Sequence, residues 1–181
     1  VISMAQFVID ADGHIMEDHK DIFAHIKGNF SEMDWHSTWP MFDADGWQRG
    51  LARKGKREDP DAEAWIRFQN EHGIDCAVLY PTSALAIGMI QLPAWASAIA
   101  QGYNDWLYDR FISQSPRLKG VALLAPQDPK AAAVELHRLR RLHTEDDLIG
   151  YVLAQAAGHT VLDIGVAEHS MSYANRSNWR H

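Results

Sequence analysis

Cysteine is almost absent from this chain of 181 residues: Cys76 stands alone. One thiol cannot build an internal disulfide framework or supply a Cys-x-x-Cys zinc site. Long apolar runs are missing as well. No stretch of about 18 apolar residues occurs, so no membrane span is expected. Val1–Gln6 carry no basic leader and the apolar stretch Phe7–Ile9 stops at Asp10. No secretory signal is therefore expected, and a cytoplasmic location is. Positive charge is scarce: 17 Lys and Arg against 24 Asp and Glu leave a formal net charge of −7. That balance argues against nucleic-acid binding by phosphate neutralisation. The patterns GxGxxG, GxxxxGK(S/T) and GxSxG do not occur, which removes the nucleotide-cradle and serine-hydrolase readings.

What is there is globular. The chain is 46% hydrophobic, 10% aromatic and 23% charged. At this length a single domain buries about 70% of its unfolded surface, so a real core forms without staples. Phe7–His14 reads as a short strand that ends in polar residues. Period two puts Val8, Asp10, Asp12 and His14 on one face and Phe7, Ile9 and Ala11 on the other. A short helix fits within Ile15–Lys27. Residues 28–60 read as a long irregular insertion with Trp35, Trp39, Trp47 and a basic run from Arg49 to Arg57, a loop length typical of functional or mobile segments.

Regularity returns at Asp59-Pro60, a cap followed by proline, and stops at Gly73. The helix between them spaces Ala62, Trp65 and Ile66 for packing. Ile74–Tyr80 is a continuous apolar run closed by Pro81-Thr82, as in a strand buried on both faces. Pro93 to about Ser113 reads as a long helix with Trp95, Ile99, Gly102 and Trp106 along one side. Leu118–Ala125 is a second buried strand. Asp128-Pro129 opens a helix to about His143 that buries Ala132, Leu136 and Leu139. Leu148–Ala154 makes a last strand. Strands alternating with helices imply βαβ units, an α/β fold with a parallel sheet and right-handed crossovers. The chain is read as one domain, 1–181, in which residues 155–181 form an atypical tail without clear period.

The strongest local signal is Asp10-x-Asp12-Gly13-His14. Alternation aims three potential ligands the same way at the carboxyl end of a strand, where parallel α/β folds build their sites. Gly13 leaves room for backbone or ligand to approach. Carboxylate with imidazole suits zinc or another divalent metal. The plain alternative is that Asp12 caps the next loop and His14 bonds to backbone. Glu17, three residues on, is a candidate substrate contact or partner of the ligands, or an ordinary helix-start glutamate. Thr82 and Gln127 follow two strand ends and are further candidate substrate contacts, although turn chemistry explains both. His19, His25, His137 and His143 have poor spacing for one face and read as solvated. Cys76 reads as a small buried hydrophobe.

Four blocks in order carry a family resemblance: Ile9–Glu17, Gly73–Thr82, Tyr103–Leu107 and Arg117–Leu124. Together they resemble the amidohydrolase-related family, the branch of the metal-dependent amidohydrolases that includes aminocarboxymuconate-semialdehyde decarboxylase. The likeness covers residues 7–154. It implies a distorted TIM barrel with a divalent metal, zinc by first expectation, at the strand ends. The family's opening His-x-His pair of ligands falls on Asp12 and His14, so an oxygen donor replaces a nitrogen donor. This chain supplies about four βα units, a partial TIM barrel, against about 250 residues for a whole one. The family's later metal-binding histidine and essential aspartate have no counterpart here. His169 and His181 have no strand pattern around them, and truncation would explain the shortfall.

Two functions follow. The resemblance implies a metal-dependent hydrolase or nonoxidative decarboxylase of a small carboxylic or aromatic substrate, with the metal acting as Lewis acid. The alternative is a catalytically incomplete half-barrel that serves only as a folding or assembly unit, with open edges that favour a homodimer or larger assembly. A binding module for small acidic metabolites is weaker, because the only basic cluster lies in the insertion.

Overall fold

Residues 7–30 and 60–142, with the backbone of 148–153, are described by the computed structural model of the chain. The insertion's tryptophans and basic run, His143 and the tail 155–181 lie outside the described residues.

Strands β1 (Ile9–His14), β2 (Cys76–Tyr80), β3 (Leu118–Leu124) and β4 (Leu148–Leu153) form one sheet in the order β1-β2-β3-β4. Each adjacent pair is parallel. The helices are α1 (His19–His25), α2 (Ala62–His72), α3 (Pro93–Arg110) and α4 (Pro129–Leu142). Strands adjacent in sequence are adjacent in space. That is the order of a barrel wall, whereas a doubly wound sheet reverses direction part-way. The fold is the partial α/β barrel predicted from the sequence.

Local chemistry explains the element ends and corrects some of them. The cap of α2 is Asp61 rather than Asp59: its carboxylate accepts the N–H of Ala64 at 2.8 Å, and the helix begins at Ala62. Gly73 closes α2 at φ +66°, and its N–H bonds to Gln69 O, a left-handed cap that suits glycine. Asp128 caps α4 through the N–H groups of Lys130 and Ala131, at 3.1 and 3.0 Å. The helix α3 ends at Arg110, short of Ser113, because the chain tightens into a 3₁₀ turn over Ile112–Gln114.

The core lies between sheet and helices. Trp95, Ile99, Tyr103 and Leu107 of α3 pack with Leu79, Leu118 and Leu123 of the strands and Ile22 of α1. Each fully buried side chain of this size stabilises by about 1.5–3 kcal/mol. Two helices bury polar groups where the apolar pattern predicts none. On α2, Gln69 is fully buried while Trp65 and Ile66 are half-buried; its amide donates to Arg117 O at 3.2 Å. On α4, Leu136 is half-buried and Glu135 is 2% exposed.

Glu135 is buried because it is answered. Arg138 binds both its oxygens at 2.7 Å, and the Asn104 amide reaches Oε1 at 2.9 Å. Arg138 also pairs with Asp105 at 2.8 Å. Asn104 further donates to Leu123 O at 3.0 Å and accepts from Leu123 N at 2.7 Å. Pairing between β2 and β3 reaches only Gly120. Three residues on, the carboxamide of Asn104 satisfies both main-chain groups of Leu123, as a neighbouring strand would.

Candidate functional site

The carboxyl end of β1 does not run in unbroken alternation. Asp10 pairs with Ala77 and Gly13 with Leu79, so three steps on β1 match two on β2. This is a bulge, and a bulge re-aims side chains. The expected shared face of Asp10, Asp12 and His14 is corrected by it. Asp10 turns onto its own backbone, its Oδ1 accepting Asp12 N at 3.1 Å. Gly13 follows the bulge in close contact: a Cβ there would meet Val78 O at 2.8 Å. Its missing side chain makes room for backbone, and the strand can then place His14 against the end of β2.

His14 donates from Nδ1 to the Pro81 carbonyl at 2.8 Å. An Nδ1–H tautomer leaves Nε2 with a free lone pair. That nitrogen lies 3.6 Å from Asp12 Oδ1, with the two side chains 41% and 91% exposed. Thr82 Oγ1 sits 3.5 Å from His14 Nδ1 and donates its proton to Ile15 O at 2.6 Å. Three of the expected site residues, Asp12, His14 and Thr82, are therefore together at the ends of β1 and β2. Two metal bonds of about 2.0–2.2 Å hold their donor atoms about 2.8–3.6 Å apart. The Asp12–His14 separation fits that span, and a backbone acceptor behind a ligating histidine is the usual way its tautomer is set. Among the described residues no third His, Cys, Asp or Glu joins them in a metal-sized group.

Glu17 is buried. Its carboxylate accepts the N–H groups of Thr82, Ser83 and Ala84 at 2.9, 3.1 and 2.8 Å and the Ser83 hydroxyl at 3.0 Å. Burial pushes its carboxyl above the usual range, and the hydrogen bonds from Ala84 and Ser83 oppose that shift. Tyr103 is also buried, and burial together with the Glu17 charge pushes its phenol well above the usual value. Gln127 sits at the other end of the same loop. Its amide donates to Ile87 O at 2.6 Å and Ile90 O at 2.7 Å. The two residues thus clamp the 3₁₀ segment Ser83–Met89 at both ends. Gln127 Oε1 is buried without a hydrogen-bond partner among the described residues.

The sequence reading missed the Pro81 carbonyl, which acts through its main chain and leaves no side-chain signal. It quoted Asn104 only as part of a family block and missed Glu135, because a charged residue on a polar helix reads as solvated. His137 is exposed as expected, but His25 is half-buried, bridging Asp21 O at 2.8 Å and Asp109 at 3.2 Å. Cys76 is buried, and burial pushes its thiol up. A groove of about 180 Å³ near His25, Asp109 and Trp106 lies away from the candidate site. No helix of the described residues is long and apolar enough to cross a membrane.

Comparisons with known proteins agree with this architecture. Over 73 residues the chain is 37% identical to the gamma-resorcylate decarboxylase of Polaromonas sp.; these are 40% of this chain and 22% of that one. The amidohydrolase-related resemblance is borne out. In solved structures the fold matches 2,6-dihydroxybenzoate decarboxylase from Rhizobium, with a TM-score of 0.51 and 21% identity over 81% of this chain and 38% of that one. It also matches dihydroxybenzoic acid decarboxylase from Polaromonas sp. with bound manganese and 2-nitroresorcinol, with a TM-score of 0.50 and 23% identity over the same shares. The chain spans well under half the length of these relatives. No family model matches it.

Proposed function

We propose that this chain serves a metal-dependent decarboxylation of a small hydroxylated aromatic acid. The observation that carries the proposal is His14 Nε2 placed 3.6 Å from Asp12 Oδ1 at the strand ends, with Nδ1 held from behind by the Pro81 carbonyl. The 37% identical relative is a gamma-resorcylate decarboxylase, which favours decarboxylation over hydrolysis. A bound divalent ion supplies positive charge to the carboxylate and hydroxyl oxygens of the substrate. Asp12 and His14 would hold it, and any further protein donors would have to come from outside the described residues. The ion of choice is zinc or manganese; a mixed oxygen and nitrogen donor pair suits either, and manganese is the metal of the Polaromonas structure. Thr82, with its proton committed to Ile15, offers a lone pair to a substrate hydroxyl. Glu17 and Gln127 hold the loop that follows Thr82.

The test is metal content and turnover together. The purified chain, equilibrated with divalent manganese or zinc, is expected to retain about one ion per protomer and to release carbon dioxide from 2,6-dihydroxybenzoate. No metal and no turnover, with elution as a dimer or larger, would instead favour the reading as a folding or assembly unit. The observation favouring that second reading is that the described residues bring only two donors together.

A further inference from the structure

One rigid unit lies between Glu17 and His14: the peptide bond joining Pro81 to Thr82. Its N–H donates to Glu17 Oε1 at 2.9 Å, and its carbonyl accepts from His14 Nδ1 at 2.8 Å. A peptide group is planar, and in the trans form its N–H and C=O point in opposite directions. Fixing one end therefore aims the other. Turn peptides can rotate as a unit, and rotation here would present the N–H of Thr82 to His14. Nδ1 would then have to accept, Nε2 would carry the proton, and the lone pair facing Asp12 would be gone.

Glu17 blocks that rotation by its chemistry. An ionised carboxylate only accepts hydrogen bonds, so it takes the N–H of Thr82 and repels the carbonyl of Pro81. We propose that Glu17 is a positioning residue that sets the tautomer of His14 through the Pro81–Thr82 peptide and keeps Nε2 free to bind a ligand. Thr82 Oγ1 agrees with this arrangement. Its proton goes to Ile15 O, so a lone pair faces the Nδ1–H of His14 at 3.5 Å. The inference rests on the metal reading above for what the free nitrogen binds, but not for the tautomer itself.

The experiment separates the two. The full chain is labelled with ¹⁵N-histidine, and ring nitrogen spectra are recorded at about pH 8, where an unperturbed imidazole is neutral. His14→Asn identifies the signal. The parent chain is expected to show the Nδ1–H tautomer at His14. Glu17→Gln is expected to move the population toward Nε2–H and to weaken binding of divalent manganese by about 10-fold or more. Asn104→Ala, which loosens the fold elsewhere, is expected to leave the tautomer alone. Should Glu17→Gln not fold, Glu17→Asp decides, since it keeps the charge but draws it back by one methylene. A shifted tautomer in either variant supports the role. An unchanged tautomer, or an equal shift in Asn104→Ala, overturns it. If the parent chain binds neither manganese nor zinc while the tautomer still responds to Glu17, the metal reading falls and the positioning role stands.

Discussion

At the start of the strands, polar side chains turn inward onto main chain. Arg117 donates to Asp75 O, Ile74 O and the Asn70 side chain at 3.2, 2.6 and 2.7 Å. Asp75 accepts from Val8 N at 2.7 Å, and Gln69 donates to Arg117 O. At the carboxyl ends the arrangement is divided. Glu17 and Gln127 also bind main chain, but Asp12 and the Nε2 edge of His14 face outward. The lower rim joins strands to one another; the upper rim holds a histidine still and leaves one of its nitrogens unused. Barrel folds separate stability from chemistry along this same axis.

The largest loss is expected at Asn104, which sits at the upper end of β3 yet works like a lower-rim residue. Asn104→Ala leaves Leu123 N and Leu123 O without partners and removes one bond to Glu135. Each buried group left unpaired costs about 1–3 kcal/mol. The expected loss is about 3 kcal/mol by urea unfolding, with the ring signals of His14 unchanged. A loss under about 1 kcal/mol would mean that the carboxamide does not seal the gap beyond β2.

The lower rim comes next. Arg117→Leu removes three hydrogen bonds from a half-buried guanidinium, two of them to the carbonyls that precede β2. Hydrogen bonds to charged groups contribute about 1.5–3 kcal/mol each when buried. Partial exposure and the apolar replacement reduce the sum to about 2 kcal/mol. Unfolding measurements should show that loss, and manganese affinity should not move, because the substitution lies at the opposite end of the strands from His14.

The sequence displayed these regions unequally. Strands and helices were legible because period-two and buried apolar runs, Gly73 and Asp128-Pro129 are local signals. Asp12, His14 and Thr82 were legible as a rim because parallel strands share a carboxyl end. The bulge at β1 was not, since nothing in Asp10–Gly13 states how β2 is registered against it. Nor was the buried state of Glu17 and Glu135. A carboxylate becomes tolerable inside only when several donors converge on it; those donors come from residues 65–67 positions away for Glu17, and for Glu135 the local Arg138 suffices only together with Asn104 from another helix. Long-range convergence has no signature in spacing.

The smallest expected effect on stability bears most directly on function. The Asp12 side chain is 91% exposed, and its charge faces His14 across 3.6 Å. A carboxylate this exposed, facing a neutral imidazole, holds little of the fold, so Asp12→Asn should leave unfolding within about 0.5 kcal/mol of the parent. On the proposed metal reading ion affinity should respond far more, because that reading makes Asp12 and His14 the two donors from this rim. A titration with divalent manganese is expected to weaken at least about 10-fold. If instead Asp12→Asn lowers stability by more than about 1 kcal/mol and leaves affinity intact, Asp12 belongs with the residues of the lower rim, and the contrast between the two ends of the sheet loses its upper half.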